Sequence, residues 1–131
     1  MTDQLISFET AKLAKEKGFK ENTNAYHNIT PMGDKAEDNP IIVGSINHNY
    51  ESYNTIAIPT QSLLQKWLRE VHHIHVEVGL NFNDKFHYSA VYNRNYVDLF
   101  DTIKHKRYNT NFNTYEEALE VGLTEALKFI E

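Results

Sequence analysis

Seven histidines stand in a chain that has no cysteine, and three of them crowd together as His72-His73-x-His75. Imidazole nitrogens ligate zinc, so this triplet is the first place to look for metal chemistry, with Glu77 or His87 as a fourth ligand. The spacing works against it. His72 and His73 fall at the end of a helical pattern and His75 at the start of a strand pattern, so the three rings are not expected to converge. A histidine near a helix C-terminus is in any case favoured by the dipole there. No metal and no other cofactor is expected. Nucleophilic catalysis has as little support. Ser62 falls in the first turn of a helical pattern and Ser89 on a strand pattern, neither in a glycine-flanked elbow. Asp98, Asp101 and His105 are an acid–base set in composition, yet no spacing rule brings them together. The 5 glycines are scattered, so phosphate-cradling loops are absent. The residues read as those of a protein that is not an enzyme.

A second constellation suits binding. Lys104, His105, Lys106, Arg107 and Tyr108 are consecutive, and Tyr88, Tyr92 and Tyr96 precede them. Basic residues beside aromatics hold single-stranded RNA by phosphate contacts and base stacking. The alternative is a solvated loop beside core tyrosines, and a formal charge of −5 favours that alternative because no global positive field recruits nucleic acid. Tyrosine numbers 8 and phenylalanine 7, more aromatics than one small core readily buries. Exposed aromatics anchor protein interfaces, so a surface directed at another macromolecule is the expected mode of action.

The 131 residues suit one domain, here expected to run over the whole chain. Hydrophobic content of 40% and charged content of 24% fit a folded, water-soluble protein. The missing cysteines exclude a disulfide framework, thiolate metal sites and thiol nucleophiles. Met1-Thr2-Asp3-Gln4 begins no secretory signal, and no run approaches the roughly 20 apolar residues that span a bilayer, so a cytoplasmic protein without a membrane partner is expected. Asparagine clusters at Asn22/Asn24/Asn28, Asn47/Asn49 and Asn109/Asn111/Asn113 mark loops and strand ends.

The elements that must position these residues are legible in patches. A helix is predicted over Phe8–Lys17, with Ser7 as N-cap, Gly18 as its stop and Lys12, Lys15, Lys17 and Lys20 on its wet side. Asn24–Thr30 reads as an edge strand, Met32–Pro40 as a loop, and Ile41-Ile42-Val43-Gly44-Ser45-Ile46 as a buried strand because it is β-branched and uncharged. Thr60 caps a helix through about Val71, with Leu63, Leu64, Trp67, Leu68 and Val71 as its apolar stripe. Ile74, Val76, Val78, Leu80 and Phe82 then alternate with polar residues, Asn83-Asp84-Lys85 turns, and Phe86, Tyr88, Ala90 and Tyr92 alternate again as an antiparallel hairpin. A third strand follows within Tyr96–Ile103, then a polar connector over 104–113. Thr114 and Glu117 form a capping box for a helix from Tyr115 to about Ile130. Gly122 on its apolar face predicts another backbone packed closely there. The class is α+β, an antiparallel sheet of three to five strands with about three helices packed on one side.

The pattern Phe8-x-x-Ala11-x-Leu13-x-x-x-Lys17-Gly18-Phe19, then Pro59-Thr60-Gln61 and Gln65-Lys66-Trp67-Leu68-Arg69-Glu70-Val71-His72, then Thr114-Tyr115-Glu116-Glu117-Ala118 and Glu125-Ala126-Leu127, resembles a family of small proteins carried by phages and prophages of Bacteroidetes and other gut-type bacteria. The likeness covers the first helix and most of residues 57–130, and it rests on helix caps and faces rather than an active site. It implies an accessory or counter-defence factor without a small-molecule substrate. In size, asparagine bias and host group, though not in these motifs, the chain also resembles an anti-CRISPR inhibitor, and that likeness implies action on the RNA-guided RNase of type VI-B systems or on its guide loading, by binding a host protein or ribonucleoprotein. A small RNA-binding or regulatory phage protein, using Lys104–Tyr108 with Tyr92 and Tyr96, is the alternative.

Overall fold

The computed structural model describes residues 3–50, 54–81, 83–92, 97–98 and 111–130. Among them three helices and six strands make an α+β fold. The strands are not gathered into one sheet. They form two antiparallel sheets of three strands each, in two compact units, Met1–Thr60 and Gln61–Glu131. The boundary falls directly before a helix, where no stretch of linker composition marks it.

In the first unit, helix α1 spans Phe8–Glu16. Ser7 Oγ accepts from the Thr10 backbone N–H at 3.2 Å, and Gly18, at φ +95°, supplies the left-handed turn that ends the helix. Its buried side chains are Thr10, Ala11 and Ala14. Lys15 does not belong to the wet side: its Nζ donates to the Thr55 carbonyl at 2.7 Å, and burial lowers its pKa. The sheet runs β2 (Ile41–Ile46), β1 (Thr23–Asn28), β3 (Thr55–Ala57). Two expectations are corrected here. β1 is the central strand rather than an edge; its polar composition misled, since Thr23 and His27 are buried along with Ala25 while Asn24, Tyr26 and Asn28 take the other face. β2 is the edge strand and is exposed rather than buried. α1 lies against β3, at the opposite edge of the sheet. Asn49, in the loop that follows β2, is a buried pin: its side-chain amide donates to the Phe19 carbonyl at 2.8 Å and its carbonyl accepts from the Ala57 N–H at 2.8 Å.

In the second unit, α2 (Gln61–His72) is separated from β4 (Ile74–Leu80) by one residue. His73 takes φ +60° to make that reversal. β5 (Phe86–Tyr92) pairs with β4 in the register Ile74↔Tyr92, Val76↔Ala90, Val78↔Tyr88, and β6 (Val97–Asp98) pairs with β5. Phe82 and the remainder of the predicted third strand, 96 and 99–103, lie outside the described residues. Asp84, at φ +62°, turns the hairpin, closed by the Asn81 N–H on the Lys85 carbonyl at 2.7 Å. α3 spans Tyr115–Phe129, with Thr114 Oγ1 accepting from the Glu117 N–H at 3.0 Å. α2 and α3 pack on each other and on β4, and α3 also on β5. The α2 stripe is shifted from the prediction. Val71 is 53% exposed, whereas Gln61 is buried and donates to the Glu116 carbonyl at 2.9 Å. Leu80, at 64%, extends past the covered part of the sheet. Gly122 has close neighbours, but they are side chains rather than a backbone: a methyl there would lie 2.9 Å from Val76 Cγ1 and 3.1 Å from Tyr88 Cβ.

Candidate binding surface

Of the residues predicted to contact a partner or RNA, Tyr92 is described; Tyr96, Lys104, His105, Lys106, Arg107 and Tyr108 lie outside the described residues. Tyr92 ends β5 and lines a cleft of about 390 Å³ with His72, Ile74, Phe129 and Ile130. Its ring centroid is 6.1 Å from that of Phe129. Tyr88, by contrast, is 9% exposed and takes the face covered by α3, so it is a core residue.

The histidine triplet is separated by its own local structure. His72 ends α2 with its ring edge-on to Trp67 at 4.7 Å, His73 occupies the left-handed turn, and His75 pairs with Val91 on the sheet face opposite Ile74. Burial, with a smaller effect from neighbouring His73, lowers the His72 pKa. His87 lies across Gly79, and its Nδ1 is 2.7 Å from Asn81 Oδ1. Among the described residues no three of His, Cys, Asp and Glu come together to hold a metal ion. Ser62 is in the first turn of α2, Ser89 faces Glu77 across the hairpin, and Asp98 pairs with Val91; Asp101 lies outside the described residues. Among the described residues no helix is long and apolar enough to cross a membrane.

Among the described residues, the most exposed apolar element is a strand that the sequence pattern predicts to be buried. On β2, Ile42 is 66%, Val43 41% and Ile46 47% exposed, and no residue of the strand is charged. Adjacent side chains on a strand point to opposite faces, so Ile42 and Val43 leave both faces of this edge apolar and open. Ile56 and Ala57 on β3, the other edge, are buried. Val43 and Ile46 also line a cleft of about 270 Å³ with Tyr26, Asn28, His48 and Thr55. His48 is 3% exposed, its ring stacks on Tyr26 at 4.6 Å, and its buried Nε2 has no hydrogen-bond partner among the described residues. Thr55 Oγ1 donates to the His48 carbonyl at 2.6 Å and so holds the loop in place. The one sequence signal for this surface was the lack of any Lys, Glu or Pro inside Ile41–Ile46, residues with which proteins ordinarily blunt a free edge.

Beyond the other end of β1, Glu37 accepts from the Asn28 backbone N–H at 2.7 Å and lies 3.3 Å from His27 Nδ1. The backbone hydrogen bond is the main reason that its carboxyl sits below the usual carboxylate pKa; the Asn28 and His27 side chains add to it against partial desolvation. No protein-family model, curated protein or solved structure matches the chain.

Proposed function

We propose that the protein is a non-catalytic binding module that takes an extended segment of a host protein onto the β2 edge as an added strand. The observation that carries this reading is the exposure of Ile42, Val43 and Ile46 on an uncharged edge strand. A free edge presents a row of backbone donors and acceptors to an incoming strand, which supplies affinity, while pockets beside it supply specificity. The cleft beside Val43, lined also by Tyr26, Asn28, His48 and Thr55, serves that second purpose by receiving a side chain of the partner. Such an action needs no bond-breaking chemistry.

The phage-protein resemblance makes a type VI-B CRISPR ribonucleoprotein the first partner to test, with inhibition arising from an occupied nuclease surface or disturbed guide loading. A formal charge of −5 suits approach to a protein that carries a basic guide channel. Purified protein mixed with the reconstituted nuclease, with and without guide RNA, should co-elute on size exclusion in the absence of free RNA. Val43→Lys should abolish the complex. A complex that requires RNA, or one that survives Val43→Lys, contradicts the reading. So does a free protein that runs as a dimer of the 15.3 kDa chain and reverts to monomer in Val43→Lys, because two copies would then have consumed the edge.

A further inference from the structure

We propose, resting on the strand-addition reading above, that the segment received by β2 is itself apolar on both faces and is followed by a basic residue. Such a segment is a continuous β-branched or aromatic run rather than an alternating one. The pairing of β2 with β1 tells the two faces apart. Ile42 stands opposite Ala25, and Ala25 shares its face with His27, whose ring meets that of Phe8 from α1 at 5.5 Å. Because α1 lies against β3 at the far edge, Ile42 is left 66% exposed on that face. Ile41 stands opposite Tyr26, and Val43, 41% exposed, lines a cleft with Tyr26 on the other face.

A strand added beside β2 sets its own side chains against both rows. A segment that alternates apolar with polar residues covers one row and lays polar groups along the other. A run that is apolar at successive positions covers Ile42 and Val43 together, as in strands buried on both faces, which are near-continuous hydrophobic runs. A charge inside the segment would find no counter-charge on Ile41–Ile46.

The flank follows from the ends of the edge. The ladder to β1 pairs evenly at Ile41 and Ile42 and shifts before Ile46, so the even row of backbone groups lies toward residue 38. That end is acidic. Asp34 and Asp38 are exposed with Lys35 as the one cation of residues 34–38, while Glu37 is engaged by the Asn28 N–H at 2.7 Å. Antiparallel addition, the arrangement of every described strand pair, brings the C-terminal flank of the segment to this end. A lysine or arginine there meets the two free-standing aspartates of the loop, which aids encounter and fixes direction.

Two blocked peptides as long as β2, each ending in two lysines, are titrated into the isotope-labelled full-length protein while the amide resonances of residues 41–46 are followed. One carries successive valines and isoleucines; the other alternates valine with serine. The first should bind at least tenfold more tightly than the second, and Asp38→Lys should weaken it at least threefold. Equal affinities at 41–46 overturn the two-faced segment and leave strand addition standing. Undiminished affinity in Asp38→Lys overturns the basic flank. Peptides that move no resonance of 41–46 at millimolar concentration overturn this inference and strand addition together.

Discussion

The two three-stranded sheets of this chain differ in what covers them. In the second unit, β4 and β5 lie under α2 and α3, and Leu64, Leu68, Leu123 and Leu127 are wholly removed from solvent. In the first unit α1 lies against β3, and the apolar side chains of β2 remain in water. Yet Ile41–Ile46 is, residue for residue, the more apolar sequence; Ile74–Leu80 carries a histidine and a glutamate. Strand formation follows from local β-branched preference, but burial follows from whether another element arrives to cover the strand. The well-roofed sheet is where stability resides, and the uncovered edge is where a partner has most to gain.

The largest effect expected from this contrast is on stability. Leu123→Ala should lower the unfolding free energy by about 2–5 kcal/mol in urea titration, whereas Ile42→Ala should change it by no more than about 0.5 kcal/mol. Equal losses would break the comparison. The first unit is nevertheless tied together by polar contacts. Asn49→Ala strands the Phe19 carbonyl and the Ala57 N–H, and should cost about 1–3 kcal/mol. Gly122→Ala sets two effects against each other. Alanine favours the helix by about 1 kcal/mol, but its methyl would crowd Val76, a stiff β-branched residue, and Tyr88. Overpacking should win, for a net loss of about 1–2 kcal/mol by thermal or urea unfolding. The smallest effect concerns acid. Because the Glu37 pKa is lowered on folding, its contribution is present above the ordinary carboxylate pKa and fades as pH falls through it. Stability measured from about pH 6 to about pH 3 should therefore fall less steeply in Glu37→Gln than in the parent.

Elements marked by caps and strict periodicity were legible in the sequence. Ser7 and Gly18 bound α1, Thr114 caps α3, and the period-two alternation from Ile74 and again from Phe86 gives the hairpin its register. Where a residue's place depends on a distant segment, pattern failed. Val71 continues the apolar stripe but is left 53% exposed, and Gln61 is buried where the Glu116 carbonyl, far away in sequence, accepts its amide. The asparagine pair at 47 and 49 marked a loop correctly, but nothing local announced that Asn49 would bridge Phe19 to Ala57. The candidate surface was hidden for the same reason: an uncharged β-branched run reads alike whether it is buried or free. Tyr92 was selected from its aromatic neighbours in sequence, whereas the residues that shape its cleft, His72 and Phe129, come from the ends of two helices.

Amide hydrogen exchange over residues 41–46 tests the docking edge most directly. In the free protein the outward amides of β2 should exchange rapidly, and in the complex with the bound partner they should slow by at least tenfold. Slow exchange before any partner is added, or an unchanged rate at 41–46 once it is bound, would contradict the assignment of β2 as the binding surface.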